Sequence, residues 1–325
     1  LTAQIAALLT SELVALRTDQ ALALTTQQIV ALATAQLAAL ETDDFSAIST
    51  RSMAALTTAQ VFAITTAQAQ ALSTQQAVAL GTSQIAALQT PDDSSALNTS
   101  AVAALLTSQI VALTTTQAAA LATQQVFALT TAQLVALETA DFAAITTDDI
   151  AALQTAQVVA LTTADIIALT TAQAESITTQ QVFALTTAQL VAMDTRDFAA
   201  ITTDDIAALQ TAQVVALTTA EIVALTTGQA AALITQQGFA LTTAQLVAME
   251  TRDFAALSSD LIAALQTAQV VALTTAEIVS LTTDQSQAIT TQQAYALTTA
   301  QVVALATDDF AAVNTASIAA LQTAQ

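Results

Sequence analysis

The chain has 325 residues, a net charge of −21, 54% hydrophobic side chains, and neither Cys, His nor Trp. Its cations are Arg17, Arg51, Arg196 and Arg252, so it lacks the basic footprint that a nucleic-acid backbone or an anionic membrane surface requires. Without Cys there is no disulfide framework, and without His, Cys, Lys or a Gly-rich phosphate loop the composition does not suit an enzyme.

An eight-residue unit organises the chain, as in Leu161-Thr162-Thr163-Ala164-Asp165-Ile166-Ile167-Ala168. Numbered from its Leu, the unit has Thr at position 3, Gln or an acid at position 5, an apolar residue at position 6 and Ala at position 8. Residues 1–88 carry it with variation at position 2, where Leu9, Arg17, Ala33, Glu41, Ser49 and Gly81 occur. Residues 89–96 break the count, because nine residues instead of eight separate Leu88 from Leu97. There Pro91 follows Thr90, which suits a first helical residue behind its N-cap, with the extra residue in a bulged turn between blocks. Residues 97–325 then keep phase throughout, and the whole chain reads as a single repeat array. It starts and stops within a unit and shows neither signal peptide nor polar end caps, as expected for a fragment of a longer chain.

The regular block has a second period. Phe142, Phe198, Phe254 and Phe310 lie 56 residues apart, and Phe127, Phe183, Phe239 and Tyr295 repeat that interval. Block duplication accounts for it, and selection for an aromatic at a fixed axial interval is the sharper alternative.

Ala, Leu and Gln favour helix, while the alternation and the Gly or Asn corners of a β-solenoid are absent. One continuous helix fails on arithmetic. At about 100° per residue, eight residues leave an apolar stripe rotated by roughly 80° in every unit. The helix must therefore break and restart, giving an all-α solenoid of short Thr-capped helices, one per unit. Thr at position 3, as at Thr107, Thr155, Thr211 and Thr267, with Ser259 in its place once, is the expected N-cap. Position 5 is then N2, where Asp141, Asp149, Asp165, Glu221 and Glu277 meet the positive end of the helix. Thr at position 2 also makes a Thr-x-x-Gln capping box, but position 2 tolerates Leu106, Ala122 and Gln154.

On a helical wheel positions 8, 5, 1 and 6 share one face and positions 2, 7 and 4 the other. Leu at position 1 supplies core, and Ala at position 8 implies close approach of neighbouring units. Gln at position 5 faces inward and must be hydrogen-bonded to backbone left unpaired at the turns, stitching successive coils together. No stretch reaches the roughly 18 apolar residues of a membrane span, although mean hydropathy is positive.

Position 7 points outward and yet is often Val, Ile or Phe. Either it packs on an adjacent coil or it forms an apolar row that mates with a second copy, with Phe127, Phe183, Phe239 and Tyr295 as the self-association anchors. Acid pairs at Asp43-Asp44, Asp92-Asp93, Asp148-Asp149, Asp204-Asp205 and Asp308-Asp309 are candidate calcium ligands. Adjacent Asp side chains diverge on a helix, and the EF-hand and Gly-rich calcium spacings are missing, so solvated N-terminal acids with no metal are the plainer reading. Thr rows raise an ice-binding surface as a further possibility. No other cofactor is implied.

The unit Leu-Thr-Thr-Ala-Gln-Val-Val-Ala resembles arrays in very long surface proteins of Gram-negative bacteria, often labelled adhesion or haem-utilisation proteins. The resemblance spans the chain and implies a secreted, cell-surface, fibrous or spacer role. It carries over no haem ligand, since His and Cys are absent and Tyr295 is the single Tyr. The expectation is therefore a structural element of an extracellular fibre or adhesin stalk that self-associates as a homo-oligomer or filament. The alternative is a monomeric spacer presenting a binding domain, and a calcium- or ice-binding module comes third.

Overall fold

A computed structural model of the chain describes residues 2–88 and 97–323. Among them are 39 helices of four to six residues, one per octad, and no strand, so the fold is the expected all-α solenoid. The described residues form two compact units, Leu1–Ala168 and Leu169–Gln325. In a regular octad the helix runs from position 3 to position 8, as in Thr155–Ala160. Two extended residues then reverse the chain: Leu161 at φ −55°, ψ 141° and, before the helix, Gln154 at φ −70°, ψ 152°.

These dihedrals correct the expected cap. Position 3 is the first helical residue, and the N-cap is position 2, which makes position 5 N3. Thr242 shows why: its Oγ1 accepts the Gln245 N–H at 3.2 Å, and Gln245 Oε1 accepts the Thr242 N–H at 2.7 Å. This reciprocal box satisfies two N-terminal donors that a single turn of helix leaves over. Where position 2 lacks a hydroxyl the Gln half persists, because it uses the backbone. Gln109, Gln125 and Gln157 accept the N–H of Leu106, Ala122 and Gln154 at 2.8, 2.7 and 2.7 Å. Position 2 is variable for that reason.

The other end of the same glutamine sets the coil. Gln245 Nε2 donates to the Val214 carbonyl at 2.7 Å and to the Leu217 carbonyl at 2.8 Å. Those oxygens end the preceding coil's helix and open its turn: the Val214 carbonyl also accepts the Leu217 N–H at 3.2 Å, and the Leu217 carbonyl takes the glutamine as its donor. One side chain thus caps the start of its own helix and the end of another. The bond from position 5 back to a position-1 carbonyl spans 28 residues, so three octads complete one turn. Helices accordingly stack on the third helix along, such as Thr123–Ala128 on Thr147–Ala152 in the first unit. In the second unit Thr219–Ala224, Thr243–Ala248, Thr267–Ala272 and Thr291–Ala296 make one stack.

The nine-residue interval is absorbed within one turn. Gln109 reaches Leu80 and Gln117 reaches Leu88 across 29 residues, and Gln125 reaches Leu97 across 28 again. The expected cap at Thr90, the helical start at Pro91 and the Asp92-Asp93 pair lie outside the described residues.

Positions 1, 5 and 6 are buried, position 8 is half-buried and positions 2, 3, 4 and 7 are exposed, as in the octad Leu217–Ala224. At position 6 a small residue lies one turn before each core phenylalanine. Phe142, Phe198 and Phe254 are fully buried, and the helices packed one turn earlier carry Ala118, Ala174 and Ala230 there. Close packing explains the pairing: a ring fits only where its neighbour gives up volume.

Candidate functional site

Position 7 sits one residue before the end of each regular six-residue helix, on the side away from the buried positions 5 and 6, and its apolar side chains reach solvent. Phe127, Phe183, Phe239 and Tyr295 are 51, 54, 57 and 60% exposed. The three in the second unit do not share a face. Their 56-residue interval is two and one-third turns, so within the second unit Phe183, Phe239 and Tyr295 stand on three different helix stacks. The other aromatic series is core: Phe142, Phe198 and Phe254 are buried, while Phe310 is partly exposed.

What does share a face is a run of three valines and one of these aromatics. Val223, Val247, Val271 and Tyr295 follow one another on the stack described above, one per turn, and all four are exposed. In the first unit Val111, Val135 and Val159 form a similar exposed run. Sequence reasoning found position 7 but not these runs, since grouping every third octad needs the number of octads per turn.

Polar ties hold the backbone beneath the aromatics. Gln154, Gln210, Gln266 and Gln322, at position 2 one turn later, donate from Nε2 to the carbonyls of Phe127, Phe183, Phe239 and Tyr295 at 3.2, 2.9, 3.1 and 3.1 Å. The 56-residue period thus repeats a pair, aromatic and glutamine, and the signal was legible in the common spacing. Beside Tyr295 a groove of about 890 Å³ is lined by Thr267, Thr291, Gln292, Thr299 and Gln322.

The acid pairs divide between solvent and core. Asp148, Asp204 and Asp308 are exposed at position 4, whereas Asp149, Asp205 and Asp309 are buried at position 5. Asp149 and Asp205 cap their helices, each accepting from the N–H and hydroxyl of Thr146 or Thr202 at 2.6–2.9 Å. Asp309 accepts from Thr283 Oγ1 at 3.0 Å, one of a 56-residue series with Thr115–Asp141, Thr171–Asp197 and Thr227–Asp253 at 2.7, 2.7 and 2.6 Å. In that series Thr at position 3 ties one coil to the next where an acid cannot donate. The structure therefore does not bring the six Asp candidates together, and among the described residues no group of three acids converges on a point that could hold a metal.

An acid at position 5 can copy only half of the glutamine. Glu221 Oε2 accepts the Thr218 N–H at 2.6 Å and its hydroxyl at 3.0 Å, while Oε1 is buried without a donor. Burial pushes the Glu221 carboxyl above the usual range, against the two Thr218 hydrogen bonds, which pull it down. Among the described residues Arg17 pairs with Asp19 at 3.0 Å, and Arg252 pairs with Glu250 at 2.8 Å and, more loosely, with the buried Asp253 at 3.6 Å. Among the described residues no helix is long and apolar enough to cross a membrane.

Compared with known proteins, the chain matches a family model described as the ALTTAQ repeat over residues 37–74, 142–179, 158–195, 198–235 and 262–299, about half its length in all. No curated protein matches it.

Proposed function

The chain belongs to the ALTTAQ repeat family, and from that premise we propose that it is a structural protein: an element of an extracellular fibre or adhesin stalk that self-associates through its outward apolar positions. The observation that carries this reading is the run Val223, Val247, Val271 and Tyr295, 45, 40, 46 and 60% exposed on a single stack of helices. Apolar side chains repeated once per turn along one side offer an extended seam, and contiguous exposed apolar surface marks association sites in soluble proteins. Phe183, Phe239 and Tyr295 on three stacks extend contact to more than one neighbour, which suits a bundle better than a two-chain seam. The role is non-enzymatic, in keeping with the absence of His, Cys and Lys.

Electron microscopy and sedimentation of the purified chain test this. Regular multi-copy assemblies are expected. They should be lost when Val223, Val247 and Val271 become Thr, and weakened when Phe127, Phe183, Phe239 and Tyr295 become Ala. Isolated single chains in the unsubstituted protein would instead support a monomeric spacer that holds a binding domain away from the cell. Assemblies untouched by both sets of substitutions would place the contact elsewhere.

A further inference from the structure

Glu221 occupies the place of the ladder glutamine. Around it, Gln213, Gln229, Gln237 and Gln245 each donate from Nε2 to a position-1 carbonyl 28 residues earlier, at 2.8, 2.8, 2.9 and 2.8 Å. Glutamate has the same length as glutamine, and Glu221 makes the same contact with its N-cap backbone. By the same register its remaining oxygen faces the Met193 carbonyl. That oxygen is the buried, donorless Oε1. Two acceptors thus meet where every neighbouring ladder bond has a donor and an acceptor.

We propose that Glu221 is a proton-operated tie between coils: with a proton on Oε1 it donates to the Met193 carbonyl as the neighbouring amides do, and without it the tie is absent. A proton fits this place and a metal ion does not. The neighbouring ladder bonds hold the donor atom 2.8–2.9 Å from the position-1 carbonyl oxygen, a hydrogen-bond distance. A hard cation takes about six or more oxygen ligands, and among the described residues no group of three acids converges on a point. The surroundings supply no competing charge. Helix Thr243–Ala248, packed on one side, carries no titratable side chain. Helix Thr195–Ala200, on the other, carries Arg196, which is exposed, and Asp197, which accepts from Thr171 Oγ1 at 2.7 Å. Asp194 caps that helix through the N–H groups of Arg196 and Asp197.

The direction of the pH effect follows. A carboxyl that holds its proton more tightly in the folded chain than in the unfolded one penalises folding at neutral pH, and the penalty is relieved as pH falls through its raised folded value towards the ordinary glutamate range. Acid should therefore tighten the array at this turn.

Thermal unfolding of the full chain, followed from pH 7 to pH 4.5, tests the proposal with Glu221→Gln against the unsubstituted protein. The amide should raise the midpoint by about 2–4 °C at pH 7, and the gain should shrink steadily as pH falls. Glu175→Gln removes the same charge from an exposed position and controls for the relief of net repulsion. Its effect should not converge in this way. A gain from Glu221→Gln that is absent at pH 7, that is constant across the range, or that shrinks no more than the Glu175→Gln effect overturns the proposal.

Discussion

The Leu261 side chain fills the space that a β-carbon on Gly238 would take: its Cγ and Cδ2 lie 2.4 and 2.7 Å from that point. The two residues are on helices packed one turn apart. At the equivalent places one super-repeat earlier stand Asp205 and Val182, and one before that Asp149 and Val126. The acid at position 5 has become leucine, and the aliphatic residue beneath it has become glycine. Gly238→Val alone should destabilise by about 1–3 kcal/mol through overpacking. With Leu261→Asp added, which recreates the pairing of the other copies, the cost should fall to less than half. Denaturant unfolding of the two single variants and the double variant checks this, and additive effects would refute the coupling.

Gln245 should be among the costliest surface-distant polar residues to lose. Gln245→Ala leaves the Thr242 N–H without its side-chain acceptor and the Leu217 carbonyl without its donor, while the Val214 carbonyl keeps the Leu217 N–H at 3.2 Å. At about 1–3 kcal/mol for each buried group left unsatisfied, a loss of roughly 2–4 kcal/mol is expected. Gln245→Glu keeps the cap and loses only the tie to the preceding coil, so at neutral pH it should fall between the alanine variant and the unsubstituted protein.

The corrected cap predicts a contrast between adjacent threonines. Thr242→Ala removes the hydroxyl that accepts the Gln245 N–H at 3.2 Å and should cost about 0.5–2 kcal/mol. Thr243→Ala, at the exposed first helical residue, should change stability by less than about 0.5 kcal/mol. If position 3 were the cap, the order would reverse.

How far the octad itself revealed these features depends on the range of the interaction. Inward Leu, Gln and the position-6 residue were legible, because helical period plus an enforced break leaves one wheel. The inward glutamine was also legible as a polar group in need of backbone partners. The cap was misplaced because Thr fills positions 2 and 3 alike, and variability at position 2 looked like indifference. Leu106 shows the cause: its N–H is capped by Gln109 whatever its own side chain is. Three octads per turn was beyond local reading, since it is fixed by bonds such as Gln245 to Leu217 between distant residues. That number also decides which position-7 side chains align, so the four aromatics looked like one row when the aligned run is Val223, Val247, Val271 and Tyr295. Likewise the Asp pairs read as solvated N-terminal acids, whereas the structure exposes the position-4 member and buries the position-5 one.

Self-association should strengthen as salt is added. The chain carries a net charge of −21, and position 4, beside the outward apolar row, places Asp148, Asp204 and Asp308 in solvent. Two copies brought together along their apolar runs therefore repel one another. The repulsion is long-ranged at low ionic strength, where the Debye length is about 30 Å at 0.01 M, and is largely removed at 1 M, where it is about 3 Å. Burial of Val223, Val247 and Val271 across a contact does not depend on this screening and is, if anything, reinforced by excluded salts. Sedimentation at low and high sodium chloride should show the assembled fraction rising with salt, and sodium sulfate should act at lower concentration than chloride. The Val-to-Thr variant should show neither response. Assembly that weakens with salt would instead assign the contact to the few arginines meeting acids on a second copy.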